Sequence, residues 1–282
     1  MPRNPAVPQT VERQVPANGR DEVAALARGI AVLRTLMAAP RALSNRELAD
    51  ATGIPKATVS RLANTLVMAG YVQQDAESEK YRLGAGLLEL SEAYLRHFDM
   101  RTLCRPHLAA LADRTQVSVH LGLRDGLEIL VIDTHRPRSA VILTRTDVGT
   151  RMDIATSASG RAFFASLPES DQEAVLSLYQ REAPQRWSQV RSALALAVEE
   201  YADKGYCTSF REWHKDINAI GISLRGPRGE LYALSCGGPA YLSTADELNR
   251  DVAPDAVSVG AAIESACGVR PQALAAVSLE DQ

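Results

Sequence analysis

The sequence predicts an α+β protein in which a small helical domain ending in a β-hairpin precedes a larger domain built on an antiparallel sheet. Two patterns within its 282 residues support this prediction. Residues 21–83 show short helical periods followed by a polar, strand-like stretch, and residues 99–270 mix strands with helices. Residues 84–98, between them, form an apolar stretch with helical spacing. We expect a disordered tail over residues 1–20 and a flexible tail over residues 271–282.

The composition fits two domains with well-formed cores. Hydrophobic residues make up 46% of the chain, and 31 basic against 34 acidic residues give a net charge of -3. Affinity for a polyanion must therefore depend on a local surface and not on overall basicity. No apolar run approaches the ~20 residues that a membrane span needs, and the polar N-terminus lacks the apolar segment of a signal peptide. We expect a soluble protein of the cytoplasm.

The cysteines give no sign of a metal site. The four of them lie far apart, without a Cys-x-x-Cys pair or a histidine at metal-ligand spacing: Cys104, Cys207, Cys236 and Cys267. We therefore expect reduced thiols, and we predict neither a metal nor a cofactor.

A first well-marked helix is expected to begin after Ser44. Ser44 can cap this helix, and Glu47, three residues later, completes a capping box. Leu43 and Leu48 stand at the two ends of a hydrophobic staple. These independent signals agree on where the helix starts.

A tight turn and a second helix follow. Gly53 supplies the positive φ that such a turn demands, and Pro55 is expected to begin the second helix. The inward side of this helix is predicted to hold Val59, Leu62, Ala63 and Leu66. The opposite side has no carboxylate and holds Lys56, Ala57, Ser60, Arg61 and Asn64. Long polar and basic side chains on exposed helical turns are what base edges and phosphates in a major groove require.

Two short strands beyond Gly70, Tyr71/Val72 and Tyr81/Leu83, predict a β-hairpin wing around a polar turn. The helix pair and the wing together predict a winged helix-turn-helix that binds double-stranded DNA; the alternative is an αα-hairpin with an ordinary solvated face. Residues 21–83 hold eight basic and seven acidic residues. We therefore expect a dimer on a palindromic site, because two recognition helices add their phosphate contacts.

Nine residues are predicted to contact DNA or to support those contacts. The outer side of the second helix contacts bases or phosphates, while Thr58 and Arg82 support the backbone contacts. Arg28 either adds a phosphate contact or is a surface charge. The complete predicted set is Arg28, Ser44, Lys56, Ala57, Thr58, Ser60, Arg61, Asn64 and Arg82.

Residues 84–98 are expected to form a linker helix that pairs two chains, and the larger domain after it to alternate strands and helices. Asp125-Gly126, between two strand-like runs, is a strong hairpin signal. Strands are predicted at residues 117–123, 127–134, 140–146, 217–224 and 231–236. Helices are predicted at residues 160–167, 170–179, 188–204 and 244–267, and Gly205 ends the third of them.

Several stretches of the chain resemble IclR-type regulators. The DNA-binding half of that family is resembled by Leu26-Ala-Arg-Gly-Ile-Ala-Val-Leu33, by Leu48-Ala-Asp-Ala-Thr-Gly53-Ile-Pro-Lys-Ala-Thr-Val-Ser-Arg61-Leu, and by Ala69-Gly-Tyr-Val-Gln73 with Tyr81-Arg-Leu-Gly84. Its effector domain is resembled by Thr156-Ser-Ala-Ser-Gly-Arg-Ala-Phe163, Lys204-Gly-Tyr206, Asn218-Ala-Ile-Gly-Ile-Ser-Leu and Gly229-Glu-Leu-Tyr-Ala-Leu-Ser-Cys-Gly-Gly-Pro239. The resemblance covers roughly residues 23–267. It implies a dimerising linker helix, a GAF-like effector domain, often a tetramer, and control of a catabolic operon, usually beside the regulator's own gene.

The effector site is expected between residues 152–160 and the strands near residues 209–218 and 235–238. Backbone N–H groups near Ser159 suit an anion, and Arg151 is a candidate carboxylate partner. The predicted set is Arg151, Met152, Thr156, Ser159, Gly160, Ser209, Phe210, Trp213, Asn218, Ser235 and Gly237 or the adjacent Gly238. A small organic acid, with an aromatic acid as one option, is therefore the expected effector.

Ordinary structural roles remain open for several of these residues: a helix cap for Ser159, a core position for Trp213, a loop charge for Arg151 and a strand end for Gly237. The stretch 210–216 also departs from the commonest family pattern, which is acidic, and Ile217 stands where a glycine often is. The ligand of a relative therefore does not transfer to this chain by resemblance.

Two other functions are alternatives to a regulator that senses a small molecule. An enzyme would need a site, and the sequence contains no His-Glu-x-x-His, Gly-x-Ser-x-Gly, Walker or dinucleotide motif. Cys236, with His120 or His214 as its base, is the only candidate nucleophile that we considered. A buried structural cysteine explains Cys236 better, so no catalytic residue is predicted. The other rival is a DNA-binding dimer whose C-terminal domain only oligomerises.

Overall fold

The computed structural model describes residues 23–96, 99–138 and 146–269. Both predicted tails, and nearly all of the strand predicted at residues 140–146, lie outside these ranges. The chain divides into two compact units between His97 and Phe98. None of the helices in the described ranges has the length and apolar character needed to cross a bilayer.

The first unit is a helical domain with a small hairpin. Its elements are α1 (Ala24–Ala38), α2 (Asn45–Thr52), α3 (Lys56–Met68), β1 (Val72–Gln74), β2 (Tyr81–Leu83) and α4 (Gly86–Leu95). Strands β1 and β2 pair antiparallel. Leu43 adds a bridge to β2 through two backbone hydrogen bonds with Tyr81, of 2.9 and 2.7 Å. The winged helix-turn-helix architecture follows from this order.

The start of α2 has the predicted capping box. Ser44 Oγ accepts a hydrogen bond from the Glu47 N–H at 3.3 Å, and the Glu47 carboxylate accepts one from the Ser44 N–H at 2.8 Å. Arg41 also donates to Glu47 at 2.6 Å. These bonds, that from Arg41 first, lower the pKa of Glu47 to about 2. The carboxylate therefore stays ionised while it fixes the helix start.

The turn into α3 is close to the prediction, with small corrections. Gly53 lies in the left-handed region at φ 70°, where glycine is favoured. Pro55 is the cap of α3 and not its first residue. Val59 and Ala63 are buried as predicted, whereas Leu62 and Leu66 are only half-buried. The half-buried pair lies towards the edge of the inward face.

Helix α4 presents large apolar side chains to solvent within its unit. Leu88, Leu90 and Tyr94 are 66%, 53% and 48% exposed. Leu95 is buried. Leu90 and Tyr94, four residues apart, share one side of the helix, and an exposed apolar side is the pattern expected of a helix that pairs two chains.

The second unit is a six-stranded antiparallel sheet with helices on both faces. Its helices are α5 (Asp99–Thr115), α6 (Ala158–Ala165), α7 (Glu169–Glu182), α8 (Trp187–Lys204), α9 (Ala245–Glu247) and α10 (Ala253–Ala266). Its strands are β3 (Ser118–Asp125), β4 (Glu128–His135), β5 (Arg151–Asp153), β6 (Cys207–Phe210), β7 (Ile217–Arg225) and β8 (Leu231–Pro239). The order across the sheet is β5-β4-β3-β8-β7-β6.

Two glycines show which helix covers which face of this sheet. A Cβ on Gly221 would lie 2.3 Å from the Ala158 carbonyl and the Ser159 nitrogen, so α6 starts directly against β7. A Cβ on Gly260 in α10 would lie 2.6 Å from Ile222. Because neighbouring residues of a strand point to opposite faces, α6 and α10 lie on opposite faces of β7.

Two predicted elements of the second unit need correction. The hairpin turn between β3 and β4 is formed by Gly126 and Leu127, because Asp125 already pairs with Glu128. Only the first central residue has positive φ, which is the type II′ arrangement. The predicted last helix is interrupted at Leu248–Val252 by a π-turn. The proline at position 254 has no N–H to continue a regular ladder.

Candidate functional site

The first candidate site is the outer face of α3. Lys56, Ala57, Arg61 and Asn64 are exposed there, and Thr58 and Ser60 are half-buried. Neither Lys56 nor Arg61 makes an ion pair within residues 23–96. A helix face with free cations and amide groups and no carboxylate suits phosphates and base edges.

The other predicted DNA contacts lie on different elements. Arg28 is exposed on α1 and Arg82 on β2. The Ser44 hydroxyl already serves as the cap of α2. Asp75 in the wing turn accepts hydrogen bonds from the Ser78 N–H and hydroxyl, at 2.8 and 2.7 Å. This acidic residue therefore has a role in holding the turn, besides making the wing tip negative.

The second candidate site is a cavity in the second unit. It lies where the start of α6 and the loop between β6 and β7 meet the middle of the sheet. Its lining residues are His120, Thr146, Met152, Ser157, Ala158, Ser209, Trp213, Ile217, Ala219, Ser235, Gly237 and Gly238. None of them has a charged side chain, so neutral hydrogen-bonding groups and apolar walls define the site.

Part of the predicted effector set lines this cavity. Met152, Ser209, Trp213, Ser235 and Gly237 all belong to the lining, as does the alternative Gly238. The remaining predicted residues do not: Arg151, Thr156, Ser159, Gly160, Phe210 and Asn218. The cavity therefore lies in the predicted region, and five of the eleven predicted residues line it.

Arg151 is the clearest of these corrections. Its guanidinium donates to Asp125 at 2.6 Å and to Glu128 at 3.1 Å. Both carboxylates come from the hairpin of β3 and β4, which pairs with β5. Arg151 is thus paired with two carboxylates at the sheet edge and does not line the cavity.

The start of α6 lies two residues earlier than predicted. Ser157, and not Ser159, is the cap; its hydroxyl accepts from the Gly160 N–H at 3.1 Å. Gly160 packs on the backbone of Ile154, where a Cβ would lie only 2.5 Å away. The cavity therefore meets α6 at Ser157 and Ala158 and not at the predicted pair.

Two predicted hydrogen-bonding side chains donate to other protein groups, although the Oδ1 of Asn218 has no hydrogen-bond partner among the described residues. The Thr156 hydroxyl donates to Asp153 at 3.1 Å. The Asn218 amide donates to the Ser243 carbonyl at 3.0 Å. Phe210 is half-buried at the end of β6. These contacts fix the loops around the cavity instead of facing it.

The loop that places Trp213 over the cavity is held by a buried arginine. Arg161 donates to both carboxylate oxygens of Glu212, one of them at 2.8 Å, and to the carbonyls of Ala155 and Thr208, each at 2.9 Å. The Trp213 N–H donates to Ser209 Oγ at 3.4 Å. The wall of the cavity is therefore tied to α6, because Arg161 lies in that helix.

His120 is the main cavity residue that the sequence analysis left out of the effector set. It lies on β3, paired with Ser235 of β8 and with Thr134 of β4. Its Nδ1 is 3.2 Å from the Thr134 hydroxyl. Burial lowers the pKa of His120 to about 4, so the imidazole is neutral near pH 7. In the sequence, the feature that could have identified His120 was a polar residue within the otherwise apolar run at residues 119–123.

The chemistry of the site favours binding over catalysis. The thiol of Cys236 is fully buried, and burial raises its pKa to about 12. A thiol that stays protonated is a poor nucleophile. No group of His, Cys, Asp and Glu residues within the described ranges is arranged to hold a metal ion.

Comparison with known proteins agrees with both halves of this architecture. The family model of the IclR helix-turn-helix domain matches residues 25–76, and that of the bacterial transcriptional regulator IclR C-terminal domain matches residues 92–261. The chain is 31% identical over 244 residues to the HTH-type transcriptional regulator TsaQ1/TsaQ2 of Comamonas testosteroni, with 86% of this chain and 87% of the relative covered.

Solved structures show the same fold. An IclR family transcriptional regulator from Brucella abortus is 35% identical, with a TM-score of 0.73 over 92% of this chain and 98% of that one. An IclR homolog from Microbacterium hydrocarbonoxydans, complexed with 4-hydroxybenzoate, is 22% identical, with a TM-score of 0.65 over 86% of this chain and all of that one (100%).

Proposed function

The chain belongs to the IclR family of DNA-binding transcriptional regulators, which are not enzymes, and from that premise we propose that a small organic acid in the cavity of the second unit controls its affinity for operator DNA. The regulator acts in the cytoplasm, on a catabolic operon beside its own gene. The observation that supports this most directly is a buried, uncharged cavity in the same chain as an exposed, cation-bearing recognition helix.

DNA binding uses two copies of the chain. The exposed apolar face of α4 that holds Leu90 and Tyr94 is the surface proposed to pair them. Two α3 helices then lie on the two halves of a palindromic operator. Lys56, Ser60, Arg61 and Asn64 contact bases or phosphates. A tetramer, as two such dimers, binds longer or paired sites.

The effector is proposed to be a carboxylic acid bound at the start of α6. The backbone N–H groups at a helix start stabilise an anion, and Ala158 in the first turn lines the cavity. The 4-hydroxybenzoate bound by the Microbacterium homolog has this chemistry. The acid shifts the dimer between two geometries only if it prefers one of them.

A gel-shift titration tests the whole proposal. The purified full-length protein is titrated onto DNA from upstream of its own gene, with unrelated DNA as competitor. The titration is repeated with a panel of organic acids, including 4-hydroxybenzoate. We expect specific binding that one or more acids strengthen or weaken.

The other outcomes separate the parts of the proposal. Specific binding that no acid changes, together with an unaltered melting temperature in each acid, favours a C-terminal unit that only oligomerises. If the protein binds the DNA from upstream of its own gene no more tightly than the competitor DNA, that DNA is not its operator. The experiment can therefore contradict the proposed response to an acid without contradicting the proposed DNA binding.

A further inference from the structure

A cluster of charged side chains joins helix α5 to strand β4. The carboxylate of Asp133 on β4 is only 4% exposed. Its Oδ2 lies 3.2 Å from His135 Nε2, 3.6 Å from Arg105 Nε and 3.7 Å from Arg101 Nε. Only the contact with His135 is short enough for a hydrogen bond, and the Nε of Arg101 is buried without a hydrogen-bond partner. Two arginines of α5 therefore stand just outside bonding distance of one carboxylate oxygen.

A β-bulge directs this carboxylate towards α5. Val131 of β4 packs in the core formed with α6 and α7, and it pairs with Gly122 of β3. The preceding residue of β3, Leu121, pairs with Asp133, so Ile132 is the extra residue of the bulge. Strand residues alternate between the two faces of a sheet, and a bulge changes the face to which the following residues point. Asp133 therefore points away from the α6 face.

The next residue of β4 contacts the floor of the cavity. The hydroxyl of Thr134 lies 3.2 Å from Nδ1 of His120, which lines the cavity. The N–H of Thr134 donates to Oδ1 of Asp133 at 3.0 Å. The two oxygens of Asp133 thus have different neighbours: one holds the backbone beside the cavity floor, and the other faces α5.

The arginines of this cluster lie where the second unit begins. The two units divide between His97 and Phe98, and α5 starts at Asp99. Arg101 and Arg105 are one helical turn apart in its first turns. A movement of these turns is passed on by the chain itself to the segment that leads out of the DNA-binding unit.

We propose that Asp133 couples acid binding in the cavity to operator affinity, because its Oδ2 exchanges between Arg101 and Arg105 when β4 moves. This inference rests on the proposed acid response and adds the residues that transmit it. Since the two Nε atoms are almost equally far from Oδ2, a shift of less than about 1 Å closes a bond with either arginine. Side-chain networks with two discrete arrangements are the elements that carry coupling between distant sites. Asp133 is a positioning residue, since it does not line the cavity.

Fluorescence anisotropy with labelled operator tests this coupling in the full-length protein, with and without each acid of the gel-shift panel, 4-hydroxybenzoate included. An acid is expected to change the dissociation constant for the operator about fivefold or more in the wild type, and less than about twofold in Asp133→Asn. Calorimetry without DNA should show that Asp133→Asn still binds the acid with nearly its wild-type affinity.

Hydrogen exchange detected by mass spectrometry gives a readout that needs no operator. The acid should change the exchange of residues 99–105 in the wild type and leave it unchanged in Asp133→Asn. A merely structural role for Asp133 predicts the same acid-induced change in both proteins.

Asp255→Asn is the matched control, because Asp255 pairs with Arg114 at 3.1 Å near the other end of α5. The variant removes the same charge from a partner of the same helix and should keep the wild-type acid response. Arg105→Gln is the second test variant, and it should fold because Arg105 is 60% exposed. It leaves Oδ2 with a single arginine, so the acid response should fall as in Asp133→Asn.

Circular dichroism shows which variants are folded, and Arg105→Gln decides the question if Asp133→Asn is not. A wild-type acid response in the folded variants overturns the role of Asp133 while acid sensing stands. An equal loss in Asp255→Asn, or loss of acid binding itself in Asp133→Asn, also overturns it. If no acid of the panel binds the wild type, the proposed acid response fails and this inference fails with it.

Discussion

Two arginines show how differently the two units use the same side chain. Arg61 on α3 is exposed and makes no ion pair within its unit, whereas Arg161 on α6 is 10% exposed, pairs with Glu212 and binds two carbonyls. An arginine left free on a surface is available to a polyanion. An arginine satisfied inside the fold fixes the shape of its surroundings.

The polar groups that are free to bind a ligand are therefore found in opposite places. In the first unit they are on the outside, on a helix face that a long, charged partner can reach. In the second unit the polar groups that line the candidate site, such as His120 and Ser235, are inside, where only a small molecule fits. The location of the polar groups of each candidate site, and not the residue types, distinguishes the DNA-binding unit from the sensing unit.

The largest expected difference concerns the two kinds of ion pair. Arg161→Ala leaves the Ala155 and Thr208 carbonyls and Glu212 without their partner, so we expect the second unit to lose about 3–4 kcal/mol of unfolding free energy. Arg46→Ala, which breaks the exposed pair with Asp50 on α2, should cost under about 1 kcal/mol. Urea denaturation followed by circular dichroism measures both. Equal losses would contradict the contrast drawn from Arg61 and Arg161.

The two units should also respond differently to acid. The pKa of His120 is lowered from 6.5 to about 4 in the folded protein. Between these two pH values the imidazole is therefore protonated in the unfolded chain and neutral in the folded one. Stability is lost as pH falls from 6.5 to 4, by about 3 kcal/mol for this group. The Glu47 pKa is lowered to about 2 from 4.5, so the first unit loses its contribution only below pH 4.5.

Tryptophan fluorescence follows the second unit alone, because both tryptophans, Trp187 and Trp213, lie there. His120→Gln should flatten its stability between pH 6.5 and 4, while Glu47→Gln should leave that range unchanged. If the stability of the wild-type protein did not change with pH in this range, folding would not lower the pKa of His120, and its imidazole would be protonated in the folded protein below pH 6.5.

Arg61→Ala should weaken operator binding without unfolding the protein. A specific contact to a base edge is worth about 1–3 kcal/mol, so the dissociation constant should rise at least fivefold. Arg34→Ala is the matched control, since it removes the same charge from an exposed position on α1. Fluorescence anisotropy with labelled operator measures both. An unchanged affinity in folded Arg61→Ala would remove the recognition role from α3.

The smallest effect is expected at the two capping boxes, one in each unit. Ser44→Ala removes the cap of α2 and should lower stability by about 1 kcal/mol. Thr244→Ala removes the matching box before α9, where Glu247 completes it. Hydrogen exchange detected by mass spectrometry should show faster exchange confined to the first turn of each helix. Loss spreading through either unit would mean that the hydroxyl does more than cap.

Local signals were predictable from sequence, and long-range pairings were not. Ser44, Glu47 and Gly53 act through residues a few positions away, so the start of α2 and its turn were predicted correctly. Arg151 was misassigned because its partners, Asp125 and Glu128, are brought to it only by strand pairing. No residue spacing reveals such a pairing before the sheet register is known.

The cavity shows the same limit. Its region was predicted from the residues around Met152, Ser209 and Ser235, yet His120 was considered only as a base for Cys236. The two residues lie on paired strands, but the sequence could not show that β3 runs beside β8. The short strand β5 was missed for the related reason that three residues form no pattern.

The pairing of β3 with β8 also determines when the sheet of the second unit can form during synthesis on the ribosome. Residues 118–122 of the central strands must wait for residues 233–237, whereas the contacts of the first unit close within the segment that emerges first. Chains elongate at about 5–20 residues per second, and domains fold in order of emergence. For on the order of ten seconds, each nascent chain therefore has a folded DNA-binding unit and no completed sheet, and newly made protein passes through a stage at which the acid has no cavity to enter.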